Sequence, residues 1–220
     1  MSRRLKDQRR APVSGKAKSV VIFLHGYGAD GADLLGLADP LGPHLPDTAF
    51  RAPDAPEQCK GNPFGYQWFP VPWLDGSSPE AQAEGFAKAK ADLHAYLDRV
   101  LAEENLPAER LALIGFSQGT MMSLAVAPER DQAIAGIVGI SGRLVDPSAP
   151  ATALSKPPVL LVHGDKDEVV PFSDLSATGN ALVEAGFETY SHVMRGTAHG
   201  IAPDGLSVAL SFLKDKLPEA

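Results

Sequence analysis

A single cysteine, Cys59, stands among 220 residues, so no internal disulfide can form, and no Cys/His spacing suggests a metal site. Long apolar runs are missing as well. No segment approaches the roughly eighteen apolar residues that a membrane span needs. The basic opening, MSRRLKDQRRAPVSGKAK, has no apolar stretch behind it to act as the core of a secretory signal. A cationic surplus is also absent: 20 Lys and Arg face 27 Asp and Glu, for a net charge of −7. That balance argues against nucleic acid or an anionic membrane as the main partner, because such partners reward clustered Lys and Arg. There is no internal repeat and no low-complexity linker. These absences predict a cytoplasmic protein without integral membrane association. Residues 1–18 are expected to form a basic, solvated and frayed tail, and residues 19–220 one domain, since 44% apolar composition over this length suffices for one well-buried core and is short for two.

What is present is an alternation of buried strands and amphipathic helices. Ser19 to Leu24 (SVVIFL), Leu111 to Gly115, Ala133 to Ile140 and Val159 to His163 are apolar runs without polar alternation, as strands covered on both faces of a parallel sheet require. Shorter strands are expected at Ala49 to Pro53 and Glu188 to Met194. Ser78-Pro79-Glu80 supplies a cap, a first-turn proline and an acid for a helix that Phe86, Leu93, Leu97 and Val100 carry to about Asn105. A further helix opens at Pro203. Strands and helices in this order predict a single-domain α/β fold, with a mostly parallel central sheet and helices on both faces. Between Asp54 and Ser78 the pattern breaks into a proline-rich stretch holding Phe64, Tyr66, Trp68, Phe69 and Trp73. A long loop so rich in aromatics is expected to be irregular and to wall a pocket.

The organising stretch is RLALIGFSQGTMMSL, Arg110 to Leu124: a strand, a turn with Ser117 at its apex, and a helix. A serine at such an elbow has a strained backbone, and the turn closes only if the residues two before and two after lack side chains. Gly115 and Gly119 meet that need. The helix N-terminus behind Ser117 aims free N–H groups at the place where an oxyanion would form. On its own a G-x-S-x-G pentapeptide is a weak signal in a chain with 21 glycines, so the surrounding sequence must support it. His25-Gly26-Tyr27-Gly28 closes the first apolar strand, where a glycine-containing loop can offer a second N–H. Tyr27 and Gln118 are thus the expected oxyanion donors, each through its main chain.

Serine hydrolysis further needs a base and an acid to orient it, in the chain order Ser, Asp or Glu, His on this class of sheet. Ser117, Asp167 and His199 follow that order, each just after an expected strand. Asp165 competes with Asp167 but lies so close to its strand that it suits fixing the turn through side-chain to backbone bonds. His163 precedes both acids and reads as structural, His94 on the long helix as structural or exposed, and His25 in the glycine-containing loop and His192 within a strand are weak base candidates.

Taken together, FLHGYGADG, GFSQG, VHGDKDEVVP and AHGI resemble the phospholipase/carboxylesterase family of α/β hydrolases, and the likeness runs from Ser19 onward. The resemblance implies the α/β-hydrolase fold without a large cap domain, the triad on Ser117, Asp167 and His199, and hydrolysis of small-molecule acyl esters without a cofactor. It leaves thioesterase and lysophospholipase chemistry as alternatives and is compatible with a homodimer; the alternative from another class is a non-catalytic binding protein on the same fold, which the intact Ser117, Asp167 and His199 set disfavours. Trp68, Phe69, Trp73 and Met121 are the expected substrate-pocket residues. Three positions depart from the family pattern: Thr120 replaces a second glycine after the elbow, Trp68-Phe69-Pro70 replaces a W-F/Y-D segment, and Tyr27 stands where leucine is common.

Overall fold

The apolar runs assemble side by side, and their burial explains their composition. In the computed structural model, which describes residues 2–60 and 62–218, the chain order is β1 (Asp7–Arg10), β2 (Ser19–Leu24), α1 (Gly31–Leu35), α2 (Ala38–Leu41) and β3 (Thr48–Pro53). A hairpin of β4 (Glu57–Cys59) and β5 (Asn62–Gln67) follows, then α3 (Pro72–Asp75) and α4 (Pro79–Glu104). The remainder runs β6 (Leu111–Phe116), α5 (Gln118–Val126), β7 (Gly136–Ile140), β8 (Val159–Gly164), α6 (Ser173–Glu184), β9 (Thr189–Met194) and α7 (Pro203–Lys216). Residues 1, 219 and 220, at the ends of the two expected segments, lie outside the described residues.

The described residues build a seven-stranded sheet in the order β1-β3-β2-β6-β7-β8-β9, parallel except for β1. Because successive side chains point to opposite faces, each central strand feeds two cores. On one face Val20, Ile22, Leu24, Leu111 and Leu113 pack with Leu93, Tyr96 and Leu97 of α4 and Met122 and Val126 of α5. On the other, Val21, Phe23, Ala112, Ile114 and Val138 pack with Leu34 and Leu35 of α1 and Phe212 and Leu213 of α7. Helix α4 starts as its sequence demands: the Ser78 side chain accepts from the Ala81 N–H, Pro79 occupies the first turn, and Asn105 closes the helix in the left-handed region at φ 53°. No helix among the described residues is long and apolar enough to cross a membrane.

Two expectations need correction. The N-terminal segment is not a frayed tail, for β1 pairs antiparallel with β3 and Leu5 is buried. What holds it is charge. The Arg51 guanidinium, 8% exposed, bonds Asp7 on β1 at 2.7 Å, Glu104 at 3.0 Å and Glu103 at 2.5 Å. Arg9 reaches Glu104 at 2.7 Å, and the Tyr96 hydroxyl donates to Asp7 at 3.1 Å. Removing one member of such a buried network strands the others without partners. Arg51→Ala should therefore lower unfolding stability by about 3 to 5 kcal/mol, measured by urea denaturation; a loss below about 1 kcal/mol would show that the network does not hold the strand. The Asp54 to Ser78 stretch is likewise not wholly irregular. It contains the β4–β5 hairpin and α3, and the two hairpin strands pair with each other rather than with the main sheet.

Candidate active site

The carboxyl ends of β2, β6 and β8 converge on one edge of the sheet, since Leu24 pairs with Gly115, Phe116 with Ile140, and Ile140 with Val162. Ser117 sits beyond β6 with φ 54° and ψ −114°, a region costing about 1 to 3 kcal/mol for a residue with a side chain. Its surroundings hold it there. The Ser117 N–H donates to Ile140 O at 2.8 Å, and Ser117 O accepts from the N–H groups of Thr120 and Met121. A Cβ on Gly119 would lie 1.8 Å from Leu24 O, and one on Gly115 would lie 2.5 Å from the Gly119 backbone. Thr120, fully buried, directs its hydroxyl at Gly115 O (2.8 Å) and Ile140 O (2.9 Å), tying the elbow to β7.

Asp167 and His199 are brought together. The Asp167 carboxylate can only accept, so His199 donates through Nδ1, 2.8 Å from Oδ2, and in the neutral ring this tautomer makes Nε2 the acceptor that can act as a base. The ring of Phe116 packs on the His199 ring at 4.9 Å. The other carboxylate oxygen accepts from the N–H groups of Val169 and Val170, both at 2.9 Å. Burial works to raise the Asp167 carboxyl, but hydrogen bonds from His199, Val170 and Val169 outweigh it, and the group is held below the usual carboxylate range. Asp165 is occupied elsewhere, accepting from the Gly196 N–H at 2.6 Å. His192 pairs with Asp204, and His94 with Glu129.

A cavity of about 230 Å³ is lined by Ser117 and His199 together with Tyr27, Gln118, Phe69, Trp73 and Met121. Trp68 is not part of it. Its ring is fully buried beneath the neighbouring loop, with Nε1 donating to His25 O at 3.0 Å. The Tyr27 phenol is pushed up to about 12 by desolvation and by the neighbouring Cys59 and Asp75, so it stays protonated at neutral pH. Residues not anticipated from sequence complete the wall, among them Val169, Val170 and Arg143. The two valines lie two and three residues after Asp167, a proximity visible in the sequence. Arg143 follows the Ser141-Gly142 strand end, packs over the Trp73 ring at 5.8 Å and pairs with Asp174 at 3.3 Å, which no sequence pattern announces.

His25 is the structural member of the glycine-containing loop. Its Nε2 accepts from the Ala55 N–H at 2.9 Å, and its Nδ1 lies 2.8 Å from Gly26 O. A backbone N–H can only donate, so the ring must be neutral with the proton on Nδ1. Burial accordingly lowers its pKa. The unfolded chain then binds the extra proton first, and the contribution of His25 to stability is present above about pH 6.5 and lost as pH falls toward the depressed folded value. The melting temperature should thus decline on going from about pH 7 to pH 5, and decline less in His25→Gln, whose amide does not titrate. Identical slopes in the two proteins would remove His25 from the acid response.

The phospholipase/carboxylesterase family profile matches residues 10–217. The crystal structure of esterase PE8 superposes with a TM-score of 0.92 at 41% identity, over 97% of this chain and 100% of that one. Esterase YpfH of Escherichia coli (strain K12) is 25% identical over 203 residues, 92% of this chain and 85% of its own length. Acyl-protein thioesterase 1 of Yarrowia lipolytica (strain CLIB 122 / E 150) is 28% identical over 221 residues, 96% of this chain and 97% of its own. These relatives support a carboxylic ester hydrolase, and a family match along nearly the whole length establishes that the chain belongs to the phospholipase/carboxylesterase family.

Proposed function

We propose that this protein is a serine carboxylesterase acting on short- to medium-chain acyl esters through an acyl-enzyme on Ser117. The observation that carries the reading is the Asp167–His199 bond at 2.8 Å, with His199 lining the same cavity as the strained elbow serine. His199 takes the Ser117 proton through Nε2 while Asp167 stabilises the imidazolium. The serine oxygen attacks the ester carbonyl, and the resulting oxyanion is held by the main-chain N–H groups of Tyr27 and Gln118. The tetrahedral intermediate collapses, the alcohol leaves with the proton from His199, and a water activated by His199 then releases the acid. Helix α5 begins at Gln118, so this N–H has no partner within its own helix and the positive end of the helix faces the oxyanion.

Intact-mass analysis after fluorophosphonate treatment, with peptide mapping and parallel assays on nitrophenyl esters, tests this directly. A single adduct on Ser117 with loss of ester turnover is expected. Active protein without that adduct would overturn the assignment. The thioesterase named among the relatives favours a second reading, cleavage of thioesters by the same machinery. Comparing kcat/KM on an oxygen ester and a thioester of one acyl chain separates the two.

A further inference from the structure

The two N–H groups assigned to the oxyanion belong to segments that the strand order brings together but does not bond to each other. Tyr27 lies in the loop after β2 and Gln118 at the start of α5. Oxyanion donors act only if their aim is fixed before the reaction, and an error of about 1 Å can cost 10²-fold in rate. Something must therefore hold the two segments in register.

We propose that residues Tyr66 to Phe69 form a clamp that sets this spacing, with Trp68 and the side chain of Gln118 as positioning residues. The inference rests on the esterase reading above. On one side, the Trp68 N–H donates to Gln118 Oε1 at 2.8 Å and Gln118 Nε2 donates to Phe69 O at 2.8 Å. The Gln118 carboxamide thus bonds two consecutive residues, accepting from one and donating to the other. Its orientation is fixed, because the Trp68 N–H can only donate and the Phe69 carbonyl can only accept. On the other side, Trp68 Nε1 donates to His25 O at 3.0 Å, the Gly28 N–H donates to Tyr66 O at 2.9 Å, and the Tyr66 N–H donates to Ala29 O at 2.8 Å. One short segment therefore grips the residues on either side of Tyr27 and the side chain of Gln118. Gln118, Trp68 and His25 are all buried, so the bonds among Gln118, Trp68, Phe69 and His25 do not compete with water and are costly to leave unmade.

Gln118→Met and Trp68→Phe test the clamp. The first removes both amide bonds and keeps the main-chain N–H; the second removes the Nε1 donor and keeps an aromatic ring. Active sites are titrated with a fluorophosphonate so that only folded enzyme is counted. Three quantities are then read: kcat/KM on a nitrophenyl ester, affinity for a trifluoromethyl ketone that forms a tetrahedral oxyanion on the serine, and affinity for the matching unreactive amide. In each variant kcat/KM and ketone affinity should fall together, by about 10- to 100-fold, with amide affinity within about threefold of the parent. The double variant should lose less than the product of the single losses, because both act through one segment. Equal losses of ketone and amide affinity would make the segment a pocket wall and overturn the clamp, as would variants with unchanged kinetics. If Trp68→Phe fails to fold, Gln118→Met and Gln118→Glu decide the question, since Glu keeps the acceptor and loses the donor. A parent protein that is neither labelled on Ser117 nor active would overturn the esterase reading and the clamp with it. A labelled, active parent with unaffected variants overturns the clamp alone.

Discussion

Replacing Ser117 by alanine should lower ester turnover by about 10⁴ to 10⁶ and leave the fold standing. The hydroxyl is the proposed nucleophile, and the other hydroxyl at the elbow, that of Thr120, is buried and turned to Gly115 O and Ile140 O. The bonds through which Ser117 itself shapes the turn are all main chain: its N–H to Ile140 O, and the N–H groups of Thr120 and Met121 to its carbonyl. Alanine keeps each of them. Activity of the purified variant, read alongside its melting curve, decides the matter. A protein that melts normally and retains more than about a tenth of parental turnover would remove Ser117 from the mechanism.

The second large effect is expected at Asp167. Asp167→Asn should reduce kcat by about 10⁴, whereas Asp165→Asn should stay within about tenfold of the parent. Every neighbour of the Asp167 carboxylate is a donor: the Val169 and Val170 N–H groups, His199 Nδ1, and His163 Nε2 at 3.3 Å. His163 Nε2 also lies 3.0 Å from Val170 O, so it must carry its proton. An asparagine amide cannot satisfy this ring of donors. Turned one way its NH₂ faces the valine amides, and turned the other it drives His199 into the tautomer that presents Nε2–H to the serine. Asp165 has a simpler task, accepting from the Gly196 N–H, which asparagine can also perform. A reversed ranking in steady-state kinetics would move the acid to Asp165. Asp167 also contributes to acid stability. Because its carboxyl is held below the usual range, that contribution is present above about pH 3.9 and is lost as pH falls through the lower folded value.

Much of the fold is legible because single-residue chemistry and tertiary packing agree. SVVIFL is apolar without alternation because both its faces are covered, and Ser78-Pro79 begins α4 because each residue satisfies a different need of a helix start. Strand β1 is hidden for the opposite reason. Asp7-Gln8-Arg9-Arg10 carries no apolar pattern, and its place depends on Arg51, Glu103 and Glu104 from distant parts of the chain. At the site, residue type and chain order bring Ser117 and His199 to one cavity and Asp167 to His199. The order of aromatics cannot reveal which way each faces once the chain leaves regular structure. Phe69 and Trp73 line the cavity while Trp68 turns inward. The place of Arg143 is not legible in sequence because its partners, Trp73 and Asp174, lie 70 and 31 residues away.

Thr120 has an implication for how this chain can change over evolutionary time. Its side chain occupies room that exists only because two neighbours have none: a Cβ on Gly139 would lie 2.7 Å from Thr120 Cγ2, and one on Gly142 would lie 2.4 Å from Thr120 Cβ. Positions 120 and 139 are therefore not independent. An alanine at 139 is disfavoured while Thr120 is present and loses that clash once position 120 has become glycine, whereas one at 142 would still lie 2.7 Å from Ser117 O. A lineage that places a side chain at 139 must first remove the one at 120, and one that acquires Thr120 must already have both glycines. The order in which these positions can change thus has a direction.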